Sequence, residues 1–465
     1  MPDLSKAEPS ALAQFHWEPQ PRAQAVLNRI VSDFLARCPA AGALAKKMRL
    51  ETGTRFFDWI DHIQVPRNSG MGPELSSVGF ARRPMPGHTD CFVHDGAMFP
   101  AVVLVDGPVT RIDIKVDAVA DFLAVWRLES PIEGEPLTQV RRALAFASDQ
   151  AELWVIERHG YRGFEIQPAD AQRGIASLRH LEALRRRQRD FGEDQAADAK
   201  GFEHANRLID AAIRDLGRDW ACDLFFAAER DYWQRRNRAG QVQKARQDKL
   251  GLGWANHDHH TYRSSRHCFP ALIAFLEKIG FRCRERFYAG AEAGWGAQVI
   301  EQPVAGITIF ADVDMSPEEV VGDFAHGRFD ERPELGTVGL WCALHGEAFL
   351  QAGMHHLECQ FDWHALKDQL AAEAAVKTMD PFTTFPYLRQ AFTEGERWPV
   401  TERRIAAVLA RGQITAQQAE QFRTQGALGS HLENLERNDG YKGFNQTGVS
   451  HIISKTDPRK QLQPA

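Results

Sequence analysis

No run of apolar residues reaches the roughly 18 needed to cross a bilayer, and the seven cysteines (Cys38, Cys91, Cys222, Cys268, Cys283, Cys342 and Cys359) include no CxxC pair. The first absence argues against a membrane-spanning helix. The second argues against a thiolate zinc site or a disulfide framework and fits a reducing cytoplasm. The opening residues, MPDLSKAEPSALAQF, lack a basic stretch followed by an apolar one, so no signal peptide is expected. A positive excess is missing as well: the formal net charge is -6, which speaks against phosphate-backbone binding as the main activity. The expectation is a cytoplasmic protein with neither nucleic acid nor a membrane as partner. One basic run, residues 184–189 (LRRRQR), is followed by Asp190, Glu193 and Asp194 and reads as a solvated helix face.

What is present is enough for a large core. The chain has 465 residues, 43% hydrophobic and 25% charged, which is globular in composition and too long for one ordinary domain. We read a mixed α+β region over 1–168, a strongly helical connector with glycine stops over 169–250, and a C-terminal region over 251–465. Within the first, short strands dominate, with helices expected at 118–126 and near 139–147. His62, His88, His94 and Glu165 offer a second metal site in principle. Their irregular spacing favours a worn duplicate of the later unit described next.

That unit begins at residue 253. A His-rich β-like run is followed by an amphipathic helix, a strand ending near Gly290, and two more strands, giving the order β-α-β-β-β. Alternation places His257, His259, Thr261 and Arg263 on one face of the first strand and Asp258, His260 and Tyr262 on the other. Imidazoles ligate Fe, Zn and Cu, and a guanidinium fork matches a carboxylate. A second His run, residues 354–362, places His356, Glu358 and Gln360 on one face, His355 on the other, and again leads into a helix. The loop 290–298 puts small residues around Trp295, with Gln298 beside it, as a cavity wall or a plain hairpin. Asp312 and Asp314 share one side of the last strand. Ser316 and Glu319 signal a helix start, 337–345 is strand or helix, 380–389 is an aromatic loop, and two helices follow, the second capped by Thr415. The tail carries Glu433.

Two such modules, each opening on a His-bearing strand, resemble the vicinal-oxygen-chelate superfamily. Within it the pieces are similar to the 2-oxoadipate dioxygenase/decarboxylase (hydroxyglutarate synthase) family: His259 with Arg263 four residues on, His356 followed by Leu357, Glu433 four before Arg437, and the ending DGYKGFNQTGVSHIISKT. The resemblance covers about residues 254–460. It implies an α+β fold of paired βαβββ modules forming a metal-binding cup, behind an N-terminal mixed domain and a helical connector. It implies Fe(II), with Mn, Ni or Zn as alternatives, held by His259, His356 and Glu433. Two His and one carboxylate leave three positions of an octahedral ion for a 2-oxo acid and O2. Arg263 then holds the substrate carboxylate as the catalytic contact, with Trp295 and Gln298 lining its site. The implied activity is an Fe(II)-dependent dioxygenase that oxidatively decarboxylates a small 2-oxo acid.

Alternatives stay open at this point. Glu358, Glu394 or Glu301 compete with Glu433 as third ligand, and His257 or His260 with His259. A ligand role for Asp312 or Asp314 turns the expectation toward a non-oxidative lyase or isomerase of the glyoxalase kind. A non-catalytic small-ligand-binding protein of the same fold is the third reading. About 250 residues precede the first His, more than that family usually carries, so the N-terminal half is expected to influence substrate choice.

Overall fold

The computed structural model describes residues 17–445 and 456–460. The opening segment and most of the closing NQTGVSHIIS stretch lie outside the described residues.

Two curled sheets organise the chain. The first holds β1 (Ile60–Pro66), β2 (Ala81–Arg82), β3 (Cys91–Val93), β4 (Ala101–Val105), β5 (Thr110–Lys115), β6 (Val140–Ser148) and β7 (Ala151–Arg158), in the order β2-β3-β4-β1-β5-β7-β6. The second holds β8 (His257–Arg263), β9 (Arg282–Tyr288), β10 (Trp295–Gln302), β11 (Ile307–Asp314), β12 (His356–Gln360), β13 (Thr383–Phe385), β14 (Leu388–Phe392), β15 (Glu396–Trp398) and β16 (Ala427–Arg437). Its order is β13-β14-β16-β12-β8-β11-β10-β9, with β15 paired to β16.

The second sheet consists of two βαβββ modules. One runs β8, helix Phe269–Lys278, β9, β10, β11; the other runs β12, helix Trp363–Ala374, β13, β14, β16. Each opening strand lies parallel to the closing strand of its own module, and the two opening strands meet antiparallel. This is the α+β, paired-module architecture of the vicinal-oxygen-chelate fold. In the first module, Pro270 sits in the opening turn of its helix, where a missing N–H costs nothing. Leu272, Ile273, Phe275 and Leu276 are buried, and Gly280 takes φ 100° just past the end. The later helices Glu402–Ala410 and Ala416–Gln425 lie between β15 and β16, and Thr415 forms a capping box with Gln418.

The first sheet repeats the plan. β1 is parallel to β4 and antiparallel to β5, β5 is parallel to β7, and β7 is antiparallel to β6. Helix Met71–Ser77 follows β1 and helix Val119–Trp126 follows β5.

Several expectations are corrected. Where a helix is expected near 139–147 the chain forms β6: Val140 and Ala143 are buried on opposite faces, and the strand pairs along the whole of β7. The aromatic loop at 380–389 is largely the β13–β14 hairpin. Past Ser316 only a 3-10 turn, Glu319–Val321, forms; the Glu319 carboxylate does take the Ser316 N–H at 2.9 Å, half of the expected capping box, and also holds Arg266 and Arg332. Residues Thr337–His345 are a helix.

The run at 184–189 is a solvated face only in part, at Arg185, Arg186 and Gln188. Helix Ala171–Arg185 ends there, and Arg187 and Arg189 turn inward to share Glu229, which also accepts from Tyr262 Oη at 2.9 Å. Nor is the helical connector a spacer. Phe202, Ile209, Phe225 and Phe226 join the core of the second sheet with Tyr262, Phe275 and Leu357. Burying each such side chain contributes about 1.5–3 kcal/mol. No helix among the described residues is long and apolar enough to cross a membrane.

Candidate metal centre

Register brings the chemistry together. His259 on β8 pairs with Glu358 on β12, which pairs with Glu433 on β16, so three adjacent strands present one row of side chains to the concave face. In the next row Thr261, His356 and His431 are neighbours. Ligating atoms of His259, Glu358 and Glu433 all lie within 4.8 Å of one another. Glu358 Oε1 stands 3.7 Å from His259 Nε2 and 3.4 Å from His356 Nδ1, and it accepts the Thr261 hydroxyl at 2.6 Å. Gln390 Nε2 donates to Glu433 Oε1 at 2.8 Å. These groups line a cavity of about 60 Å³ with Arg263, Asp312 and the rings of Phe287, Trp295, Phe310, Phe392 and Phe444. That volume suits a few waters or the reactive end of a compact acid.

The supporting contacts fix the imidazole. His259 Nδ1 meets Asp258 Oδ1 at 2.7 Å, and Arg437 clamps Asp258 through Nε at 2.8 Å and Nη2 at 3.0 Å. An ionised carboxylate only accepts, so Nδ1 carries the proton and Nε2 offers its lone pair to the cavity. Burial alone would raise the Asp258 pKa; the Arg437 guanidinium and the His259 bond override it and hold the carboxyl well below the usual carboxylate range.

The cavity carboxyls behave in the opposite way. Burial pushes Glu433 up to about 8, and burial with the neighbouring Glu433 charge drives Glu358 well above its ordinary value. Burial also lowers His259, and lowers His356 far below 6.5, so both rings are neutral. His259, Glu358 and Glu433 form one donor group that could hold a divalent ion, whose double charge would balance the two carboxylates; His356 touches it through Glu358 Oε1 and groups otherwise with His355 and His431. Glu358 Oε2 and His356 Nε2 are buried without a hydrogen-bond partner among the described residues.

The other named residues sort by face. Arg263 lines the cavity at 2% exposure and sits opposite Asp312 in the β8–β11 register. Its Nε and Nη1 have no hydrogen-bond partner among the described residues. Burial, countered by Arg263, pushes Asp312 up to about 8. Trp295 lines the cavity, but Gln298 does not: the β10 pleat turns it away, and its Nε2 donates to the carbonyls of Glu285 at 3.0 Å and Val299 at 3.1 Å. Asp314 accepts the N–H groups of Gly336, Val338 and Gly339, opening helix Thr337–His345. Glu301 pairs with Arg282 and Lys442 in a separate cleft, and Glu394, 54% exposed, lies beside Lys377.

His257 leaves the expected face, because an irregularity in the β8–β12 register turns its ring toward His260, 5.2 Å away. His62, His88, His94 and Glu165 belong to no common group of ligating atoms among the described residues. His94, for instance, packs edge-on against Phe80 and Phe99.

Sequence reasoning understated Glu358 and missed His431. With His355 and His356, His431 forms a second cluster of nearby imidazole nitrogens. His355 Nδ1 donates to the Gly429 carbonyl and His431 Nδ1 to that of Thr393. Reading 427–437 as a strand would have put His431 on the face of Glu433, two residues on.

No protein-family model and no curated protein matches the sequence. Solved structures overlap it only in outline. A putative glyoxalase superfamily protein from Ralstonia eutropha JMP134 is 12% identical, covers 57% of this chain and 92% of its own, and has a TM-score of 0.30. A mutant 4-hydroxymandelate synthase from Streptomyces coelicolor is 12% identical over 87% of this chain and 99% of its own, at 0.25. Methylmalonyl-CoA epimerase from Mycobacterium tuberculosis is 11% identical over 40% and 89%, at 0.23. At these scores the overlaps carry no argument, and the fold assignment rests on strand order and register.

Proposed function

We propose that the C-terminal cup holds a divalent metal, Fe(II) foremost, and that the protein is a dioxygenase oxidatively decarboxylating a small 2-oxo acid. The observation that supports this most is the meeting of His259, His356, Glu358 and Glu433 at one cavity whose wall also carries Arg263. His259, His356 and Glu433 would be the ligands, with Glu358 a fourth donor. When bound, such an ion supplies Lewis acidity and, as iron, electrons for dioxygen activation.

The chain's own residues do the rest. Arg263 offers unengaged N–H groups to a substrate carboxylate and orients it as well as binding it. The aromatic wall, Trp295 included, keeps water out. Asp258, held by Arg437, keeps the proton of His259 on Nδ1. In the proposed reaction the 2-oxo acid takes up both atoms of O2. One enters the carboxylate formed at the former carbonyl carbon, and the other enters a hydroxyl on the adjacent carbon. The original carboxylate leaves as CO2, and four electrons pass from substrate to dioxygen. We further take residues 1–168, 169–250 and 251–465 as N-terminal, connecting and metal-binding regions.

Iron-dependent O2 consumption across a panel of 2-oxo acids tests this reading, with His259→Ala and His356→Ala as controls. Uptake that both substitutions abolish supports it; no uptake with any acid removes the oxygenase assignment. Glu358 favours one second reading, a metal-dependent isomerase or lyase, since an additional carboxylate beside the ligands can serve as a base. Substrate turnover without O2 would identify that case.

A further inference from the structure

The two sheets match residue by residue around their cups. By register, the row His259, Glu358, Glu433 corresponds to His62, Asp113, Trp154, and the row Thr261, His356 to Gln64, Arg111. The supporting shell is the same in both. His62 Nδ1 meets Asp61 at 2.7 Å, and Arg158 clamps Asp61 at 2.7 and 2.8 Å. Arg158 Nη1 then donates to the carbonyls of Tyr161 at 3.2 Å and Gly163 at 2.7 Å. Arg437 Nη1 donates to the carbonyls of Tyr441 and Gly443 at those same distances. Phe164 stands 4.6 Å from His62 as Phe444 stands 5.0 Å from His259. The sequences beneath are ERHGYRGF (157–164) and ERNDGYKGF (436–444).

The centres differ, and Gln64 stands where the C-terminal cup has Thr261, its Nε2 3.1 Å from His62 Nε2. Where the C-terminal cup has His356, the N-terminal one has Arg111, whose Nε and Nη2 both reach Asp113 at 2.6 Å. Where the former has Glu433, the latter has Trp154, on which the Arg111 guanidinium stacks at 3.8 Å. His62 Nε2 lies 3.4 Å from Asp113 Oδ2, as His259 Nε2 lies 3.7 Å from Glu358. One carboxylate therefore meets one permanent guanidinium charge. The C-terminal row has two carboxylates and, among the described residues, no cation hydrogen-bonded to either.

We propose that the N-terminal cup is a closed copy of the metal site, in which the guanidinium of Arg111 stands in for the ion. It is a latent transition-metal site that two substitutions reopen. This rests on the reading of the C-terminal cup as a divalent-ion site. It accounts for the second His group of the sequence as a cradle that supplies its own cation, and it makes the intact chain a one-ion protein.

The test is Co(II) titration of the full chain, followed by calorimetry and visible absorption. It compares wild type, Arg111→His, and Arg111→His with Trp154→Glu, each also carrying His259→Ala to silence the C-terminal cup. One ion is expected in wild type and two in the double variant, with the second retained when His259 is removed. Two ions in wild type would overturn the proposal. So would one ion in both Arg111 variants when their circular dichroism and melting match wild type. If the double variant fails to fold, the single Arg111→His protein decides, because His62, Asp113 and the new imidazole suffice for weak binding. No ion in wild type strikes the reading of the C-terminal cup itself and takes this proposal with it.

Discussion

Loading the cup with an ion should expel protons, and the number follows from the geometry. Glu358 and Glu433 are buried side by side, with Glu433 pushed up to about 8 and Glu358 held well above its ordinary value. At pH 7 Glu433 is mostly protonated in the ion-free protein and burial drives Glu358 in the same direction, whereas His259 and His356 are already neutral. Binding a divalent ion requires both carboxylates, so at least about one proton leaves per ion, the one held by Glu433. Apparent affinity should then rise at least about 10-fold per pH unit between pH 6 and 7, the Glu433 share flattening once pH passes 8.

Calorimetric titration with Mn(II), at one pH in buffers of different ionisation enthalpy, reads the proton count directly. Glu433→Gln should lower it by about one. The same groups set a stability trend. A carboxyl raised in the folded state favours folding fully below its ordinary pKa of 4.5, and that contribution fades as pH climbs toward about 8. The ion-free protein should therefore lose stability across that window, and the loaded protein should not. A proton count near zero at pH 7, or an affinity indifferent to pH from 6 to 7.5, would refute this reasoning.

Arg437→Met leaves Asp258 buried without its cation. Chemical denaturation should show a loss of about 3–5 kcal/mol, and ion affinity should fall about 10–100-fold because His259 loses its support. Arg263→Gln should lower kcat/KM for a 2-oxo acid on the order of 10–100-fold, the worth of a lost charge-assisted pair, with ion binding unchanged by titration. Gln298→Leu strips two carbonyls of a donor, so it should cost about 1–3 kcal/mol in stability while leaving KM alone.

Strand alternation made much of the site legible. His259, Thr261 and Arg263 share a face because a pleat has period two, and the same count joins His356 to Glu358. What alternation cannot supply is register. The placement of Glu358 between His259 and Glu433 depends on which residue of β12 lies across from which of β8 and β16. The turning of His257 depends on an irregularity that leaves no mark in composition. Arg187 and Arg189 read as solvated because their partner, Glu229, lies about forty residues on and becomes a neighbour only when two helices pack. β6 was taken for a helix because its short apolar residues fit both periods. The sequence carries an Asp-His pair at both 61–62 and 258–259, but Arg111 acquires meaning only when topology sets it where His356 stands.

The central claim is that His259, His356 and a buried carboxylate pair share one cation. Counting transition-metal ions in protein purified without a His tag, after reconstitution with Fe(II) under argon, tests it most directly. The account predicts one ion per chain, lost in His259→Ala and in Glu433→Gln. An ion-free protein whose melting Fe(II) does not shift, or one that keeps its ion through both substitutions, would contradict it.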